Sequence, residues 1–461
     1  MSRWSSAVTL WIASLAARSL ADDDDRVRPA PMYLFRTDED FYEHSNLYGY
    51  PEYDAVVKYI EGLSEEWKGK VATPEEPDTA DKVNTWNASK TVVNWLTTDF
   101  VAPEVITKYT YDDAPNIVFV LVDDWGWNDV GFRSTYMDWT TPTIDRLAAE
   151  GVTLGNYYSL YLCTPSRAAL MTGRYAFRSG MHGSGDGAEL PLKEFTLAQE
   201  MKSAGYRTYM VGKWHLGMST IMHTPPQRGF DYYYGYWNGF TDYWTKKMND
   251  EFLDLHENND IVTDESEIDS SYHNGHLLNK KAEEIIFKHA DEYDDHPMFL
   301  YYAMQLIHGQ WSAPTSYLNR CGTSEDASVD DYVQDVEYNY CALNVMLDEA
   351  IANLTCTLER AGMADNTIMI IASDNGGEAT MPGNSYPFRG QKGSYFNGGM
   401  MATALIHSKL LPASSWGTTY GGLMHITGRL TEQQCISPLS IMILTMPLYR
   451  WHLTHSTVEV V

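Results

Sequence analysis

Apolar residues in this chain gather into short unbroken runs separated by polar stretches with helical spacing. Residues 117–122, Ile-Val-Phe-Val-Leu-Val, form one such run and stop at Asp123-Asp124. An unbroken run of that length predicts a strand covered on both faces, as in a parallel sheet. Residues 142–150 then show helical spacing, with Pro142 in the first turn and Gly151 at the close. Residues 197–204, closed by Gly205, repeat the helical pattern.

The alternation continues. Residues 209–211 predict a short strand leading into Gly212-Lys213-Trp214-His215. Residues 280–289 predict a helix and 298–303 a strand. Residues 331–361 carry a long helical pattern closed by Gly362. Residues 367–372 predict a strand ending at Ser373-Asp374-Asn375-Gly376-Gly377. Strand and helix in repetition predict an α/β fold with a mostly parallel central sheet. Sites in such sheets gather at the carboxyl ends of the strands. Asp123-Asp124 and Asp374-Asn375 both fall at such ends. Residues 22–114 are acidic, aromatic and irregular, with a linker-like Glu75-Glu76-Pro77-Asp78, and toward the C-terminus the pattern is lost.

Composition narrows the function. A formal net charge of −29 repels nucleic acid and anionic membrane, so neither is expected as a partner. An anionic substrate needs a locally basic pocket. Arg3, the apolar stretch over residues 7–17 and the small residues Ser19 and Ala21 predict a signal peptide over residues 1–21. No later run approaches a membrane span. The expected location is therefore secreted or the endomembrane lumen, a lysosome-like compartment included. The five cysteines, Cys163, Cys321, Cys341, Cys356 and Cys435, contain no CxxC pair, which argues against zinc. Their odd number implies one unpaired thiol and leaves the pairing open. Asn87-Ala-Ser and Asn353-Leu-Thr are compatible with glycosylation.

Asp123, Asp124, Asp374 and Asn375 offer hard oxygen donors, which suit calcium or magnesium. One Asp-Asp pair after a strand serves equally as a helix cap. A second acidic pair after another buried strand turns the reading toward metal. In Cys163-Thr-Pro-Ser-Arg167, Pro165 opens a helix, so Cys163 lies at or just before an N-terminus, where backbone N–H groups favour an anion. Arg167 lies one turn on, facing the same way. A bare cysteine in that place is ordinarily a small buried hydrophobe.

The segment Cys163-Thr-Pro-Ser-Arg167, followed by Thr172-Gly173-Arg174, resembles the signature of the type I sulfatases. Residues 205–215, ending Gly212-Lys213-Trp214-His215, resemble the second signature of that family. Asp123-Asp124 before them, and His308, Asp374-Asn375 and Lys392 after them, come in the family's order. Pro226-Gln-Arg-Gly-Phe-Asp231 and Tyr234-Gly-Tyr-Trp-Asn-Gly are similar to the arylsulfatase B branch. The resemblance covers roughly residues 115–407. It implies a three-layer α/β domain of the alkaline phosphatase-like type.

It also implies a chemistry. The motif cysteine is converted to formylglycine by a formylglycine-generating enzyme. The hydrated aldehyde attacks sulfur with one hydroxyl, and the other then drives release of sulfate. By the same resemblance, Asp123, Asp124, Asp374 and Asn375, with the modified Cys163, hold one calcium ion. Arg167 orients the modified side chain, Lys213 and Lys392 bind sulfate oxygens, His215 bonds the diol and His308 protonates the leaving alcohol. The substrate implied is an aryl or carbohydrate sulfate ester. A phosphoester or phosphonate hydrolase on the same fold, or a non-catalytic protein that binds sulfated glycans, stands as the alternative.

Three features depart from the family pattern. Tyr161 stands where a small residue or proline is usual. Beyond Thr427, Gly428-Arg-Leu-Thr replaces the usual continuation, so the small C-terminal domain is expected to be largely missing and residues 428–461 to form an atypical end. Residues 32–47 resemble the family's final strand and the acidic stretch after it, and residues 53–67 its terminal helix. Residues 22–114 are thus read as a sulfatase-like tail plus linker, loosely attached to a catalytic domain over residues 115–427.

Overall fold

A computed structural model describes residues 57–58, 90–92, 94, 114–183, 188–321, 331–378 and 382–427. The expected signal peptide, most of the acidic N-terminal segment, Asn87, Cys435 and residues 428–461 lie outside the described residues.

The buried run forms β1 (Asn116–Val122), and every one of its residues is buried. Around it lie β2 (Val152–Tyr158), β3 (Arg207–Lys213), β4 (Tyr232–Tyr236), β5 (His256–Glu257), β6 (Asp260–Ile261), β7 (Met298–Ala303), β8 (Thr367–Ser373), β9 (Ala404–His407) and β10 (Thr418–His425). Together they make one ten-stranded sheet in the order β10-β2-β9-β8-β1-β7-β3-β4-β5-β6. The five central strands, β8 to β4, pair in parallel, while β9 joins β8 and β2 antiparallel.

Period-two alternation explains the layers. Val118, Val120 and Val122 face one core, with Ile144 and Leu147 of α1 (Pro142–Ala149), Leu277 and Ile286 of α4 (Asn274–Glu292), and Leu343, Leu347 and Ile351 of α5 (Asp331–Arg360). Ile117, Phe119 and Leu121 face the other core, with Ala168 to Met171 of α2 (Cys163–Thr172) and Leu197 and Met201 of α3 (Leu197–Ser203). The chain folds as the three-layer, mostly parallel α/β domain expected. The expected helices and strands are found with ends moved by a few residues, and β2, β4, β5, β6, β9 and β10 are additional.

Register places the ends that matter. Val122 pairs with Ser373, Leu121 with Ala303, and Ala303 with Gly212. The segments that follow β1, β7 and β8, and the end of β3, therefore open at one level. Gly212 makes that level possible. Its φ is +100°, and a Cβ there would lie 1.9 Å from the Ala303 carbonyl oxygen, so no larger residue fits.

Two expectations about the periphery change. Lys90 to Val92, within the segment read as loosely attached, are docked. Thr91 bridges Leu253 in parallel, the Val92 N–H donates to the Leu253 carbonyl (2.8 Å), and the Leu253 N–H donates to that of Lys90 (3.1 Å). Val92 is fully buried in the second core, and its carbonyl lies 2.9 Å from His256 Nε2. A single apolar side chain with a paired backbone anchors these three residues. Among the described residues, Cys321 and Cys341 form a disulfide, while Cys163 (buried) and Cys356 (exposed) are both free, two thiols where one was expected. No helix among the described residues is long and apolar enough to cross a membrane.

The disulfide ties the C-terminus of the helix Thr315–Cys321 to α5 across 20 residues. Closing a loop of that size constrains the unfolded chain, so replacing both cysteines with serine is expected to lower stability by about 3 kcal/mol. The measurement is the urea midpoint of the double variant beside the parent. An unchanged midpoint contradicts the stabilising bond.

Candidate active site

Most side chains of the site are delivered by the ends of elements. Asp123 and Asp124 follow β1, Asp374 and Asn375 follow β8, and Lys213 closes β3. His308 lies in the segment after β7. Cys163 is the first residue of α2, whose preceding residue, Leu162, is extended, and Arg167 is one turn further along. Lys392 comes from the loop between β8 and β9. Asp123, Arg167, Lys213, Asp374 and Asn375 are wholly buried, and Asp124 and Cys163 nearly so.

The charges are matched in pairs. Lys213 Nζ donates to Asp123 Oδ2 at 2.7 Å. Arg167 places its Nη2 2.8 Å and its Nε 3.2 Å from Asp374 Oδ2, and Nη2 also lies 3.5 Å from Asp123 Oδ1. Lys392 Nζ donates to Asp124 Oδ2 at 2.5 Å and lies 3.5 Å from Glu378 Oε2. Three carboxylates thus face three cations, so their mutual attraction offsets part of the cost of taking the charges out of water. The Cys163 thiol lies 3.4 Å from Asp123 Oδ1 and 3.8 Å from Asp124 Oδ1.

Two histidines flank the cluster. His308 Nε2 sits 3.5 Å from Lys392 Nζ and 3.7 Å from Asp124 Oδ2. The His215 ring meets the Thr164 hydroxyl, with Nε2 at 3.1 Å. Asp124 (φ +60°) and His215 (φ +55°) both hold the left-handed conformation, a strained choice for residues with side chains and one that gathers at functional sites.

Burial sets the protonation states. It pushes the Cys163 thiol well above its ordinary value, more strongly than Lys213 and Lys392 pull it down. It pushes the His308 imidazole down to about 3, and that of His215 well below its ordinary value with help from Lys213 and Arg167. Burial and the nearby Asp123 charge raise the Asp374 carboxyl to about 6. Against burial, which acts to raise it, the basic groups around Asp124 hold its carboxyl below the usual range.

The donor set fits a hard divalent cation. Asn375 turns its amide nitrogen to Asp124 Oδ1 at 2.8 Å, while its own Oδ1 is buried with no partner among the described residues. An unpartnered buried oxygen on a side chain bonded to Asp124 is a place for a cation. Asp123, Asp124, Cys163 and His308 have donor atoms within 4.8 Å of one another. Asp374 is the more distant candidate ligand, drawn to Arg167 and to the Asp124 N–H (3.2 Å).

The structure thus brings together all ten residues singled out in the sequence: Asp123, Asp124, Cys163, Arg167, Lys213, His215, His308, Asp374, Asn375 and Lys392. Three others escaped that reading. Thr164 steadies His215 from inside the cysteine motif, and Glu378 shares Lys392. Asp129 is buried and ties three segments together: within its own loop it accepts from the Gly126 N–H and the Tyr136 hydroxyl, and from elsewhere it accepts from the Asn384 N–H and the Tyr340 hydroxyl. A carboxylate six residues beyond Asp123 was visible in the sequence. Its partners, Tyr340 and Asn384, are more than 200 residues away and were not.

Comparison with known proteins agrees with this geometry. The family model described as Sulfatase matches residues 115–419. Arylsulfatase J of Mus musculus is 38% identical over 336 residues, covering 70% of this chain and 52% of that protein. N-acetylgalactosamine-6-sulfatase of Homo sapiens is 32% identical over 317 residues, covering 63% of this chain and 56% of that protein. The chain therefore spans about half the length of these relatives. Among solved structures, that of Ps i-CgsB superposes with a TM-score of 0.60 and 27% identity, over 68% of this chain and 70% of that one. The central sheet with the charged cluster at its strand ends, the ordered motifs and the match over residues 115–419 together place this chain in the sulfatase family.

Proposed function

We propose that this protein hydrolyses sulfate esters, with formylglycine derived from Cys163 as nucleophile and one calcium ion in the acidic cluster. The observation that carries the reading is Cys163 itself. Its unmodified thiol is buried, held protonated, and 3.4 Å from a carboxylate oxygen. A soft protonated thiol is a poor nucleophile and a poor partner for hard oxygen donors. An oxygen nucleophile at the same position suits both.

Modification of Cys163 would supply that oxygen together with a route for releasing sulfate. Calcium held by Asp123, Asp124, Asp374 and Asn375 would supply positive charge to draw and polarise the anionic ester. The chain's own residues do the rest. Arg167, fixed by Asp374, orients the first turn of α2. Lys213 and Lys392 are ammonium groups held by carboxylates, ready to bind sulfate oxygens. His308 is placed to protonate the leaving oxygen, and His215, steadied by Thr164, to hydrogen-bond the diol on the nucleophile side.

The substrate class we favour is a sulfated carbohydrate. One relative is named N-acetylgalactosamine-6-sulfatase, and a structural neighbour was solved in complex with k-i-k-neocarrahexaose (TM-score 0.59, 27% identity). A formylglycine-generating enzyme is then a maturation partner, and the secretory route the expected location, where Asn353, exposed on α5, is open to glycosylation.

Two outcomes test the reading. Secreted protein is expected to yield a Cys163 peptide lighter by about 18 Da, thiol to aldehyde, and Cys163→Ala to lose roughly 10⁴-fold or more in turnover of an aryl sulfate. Fully active protein whose Cys163 is wholly unmodified would sink the nucleophile. Chelation is expected to lower turnover at least about tenfold, with recovery on adding calcium. Full turnover by exhaustively metal-free protein removes the ion. Comparing aryl sulfate with aryl phosphate separates this reading from a phosphoester hydrolase.

A further inference from the structure

Lys392 sits on a loop, whereas the other basic groups of the cluster sit on β3 and α2. Its backbone is joined to other segments at two points. The Lys392 N–H donates to the Gly377 carbonyl at 3.0 Å, and the Gly393 N–H donates to the Tyr161 carbonyl at 2.8 Å. The remaining bonds around it, such as Gln391 N–H to Ser394 Oγ, are internal to the loop. Tyr161 is two residues before Cys163, so the second join runs from the lysine loop to the turn that presents the nucleophile.

The Tyr161 side chain reinforces that join. Its ring packs on Tyr395 with centroids 4.3 Å apart and planes tilted by 44°. Its hydroxyl donates to the His182 carbonyl at 2.6 Å. Both rings border a small apolar cluster of Tyr158, Phe388, Met400 and Met401. The ring is thus held at its far end by His182 and presses the lysine loop with its face. Gly393, with φ +83° and open space where a Cβ would stand, supplies the turn but no packing of its own.

We propose that Tyr161 is a positioning residue for Lys392, coupling the lysine loop to the turn before Cys163. The proposal rests on the sulfatase reading only for its catalytic consequence. The geometry it asserts is testable whether or not the protein turns over an ester.

The test measures acetylation of Lys392 by acetic anhydride in the folded full chain, read by peptide mass spectrometry against the other lysines. Tyr161→Ala, which removes the ring, is expected to free the ammonium from Asp124 and raise Lys392 labelling severalfold. Tyr161→Phe, which keeps the ring, is expected to label like the parent. Tyr395→Ala removes the same ring contact from the other side and serves if Tyr161→Ala does not fold. In turnover of an aryl sulfate, Tyr161→Ala is expected to lower kcat/KM about tenfold, the upper end of what an aromatic pair contributes. The same change in a Lys392→Ala background is expected to lower it no further. Unchanged labelling in both alanine variants, or an equal tenfold loss with Lys392 already absent, overturns the proposal. A parent protein that labels as expected but hydrolyses no sulfate ester counts against the proposed function alone.

Discussion

Three buried carboxylates at the ends of parallel strands, each matched to a cation, are the constraint on which the rest of this structure depends. Each charge alone would be expensive to bury, since an ionised side chain stripped of water and left unpaired destabilises by several kcal/mol. Asp374 holds Arg167, Asp123 holds Lys213, and Asp124 holds Lys392. The partners come from separate stretches of chain, so the pairs form only when the strand ends are level. The parallel register of β1 with β7 and β8, and the bare Cα of Gly212, provide that level. Electrostatics and sheet geometry are one requirement seen from two sides. A slip of one residue in β1 would turn Asp123 to the wrong face as well as misplace its core residues.

The central layers were readable in the sequence because burial on both faces leaves an unbroken apolar run, as in β1 and β8. The outer strands were not. β4, Tyr-Tyr-Tyr-Gly-Tyr, is an aromatic run broken by a glycine, and β10 is mostly exposed, so hydrophobicity carries little information about it. Their pairing comes from neighbours already in place.

The site was more legible than the fold around it. Hard oxygen pairs after apolar runs and a cysteine just before a helix-start proline are local patterns, and they converge because strand ends converge. What supports the site was hidden for the opposite reason. Asp129 is intelligible only beside Tyr340 and Asn384, and Tyr161 only beside Gly393 and Tyr395. Such partners are separated by hundreds of residues and share no periodicity. Val92 shows the same limit at small scale: one apolar residue in an irregular stretch carries no pattern, yet it is wholly buried.

That anchor bears on where this folding unit begins. The family match starts at residue 115, but the hydrogen bonding of the domain does not. A chain cut at the similarity boundary would lack the partner of the Leu253 N–H and carbonyl, uncap the hairpin Lys247–Met248 with Phe252–Leu253, and leave a hole where Val92 sits. The loss would reach beyond the hairpin. Asn94 Nδ2 donates to the Met218 carbonyl at 2.7 Å, and Met218 lies three residues from His215. The smallest piece that keeps these contacts is thus longer, at its N-terminal side, than the piece the family match covers.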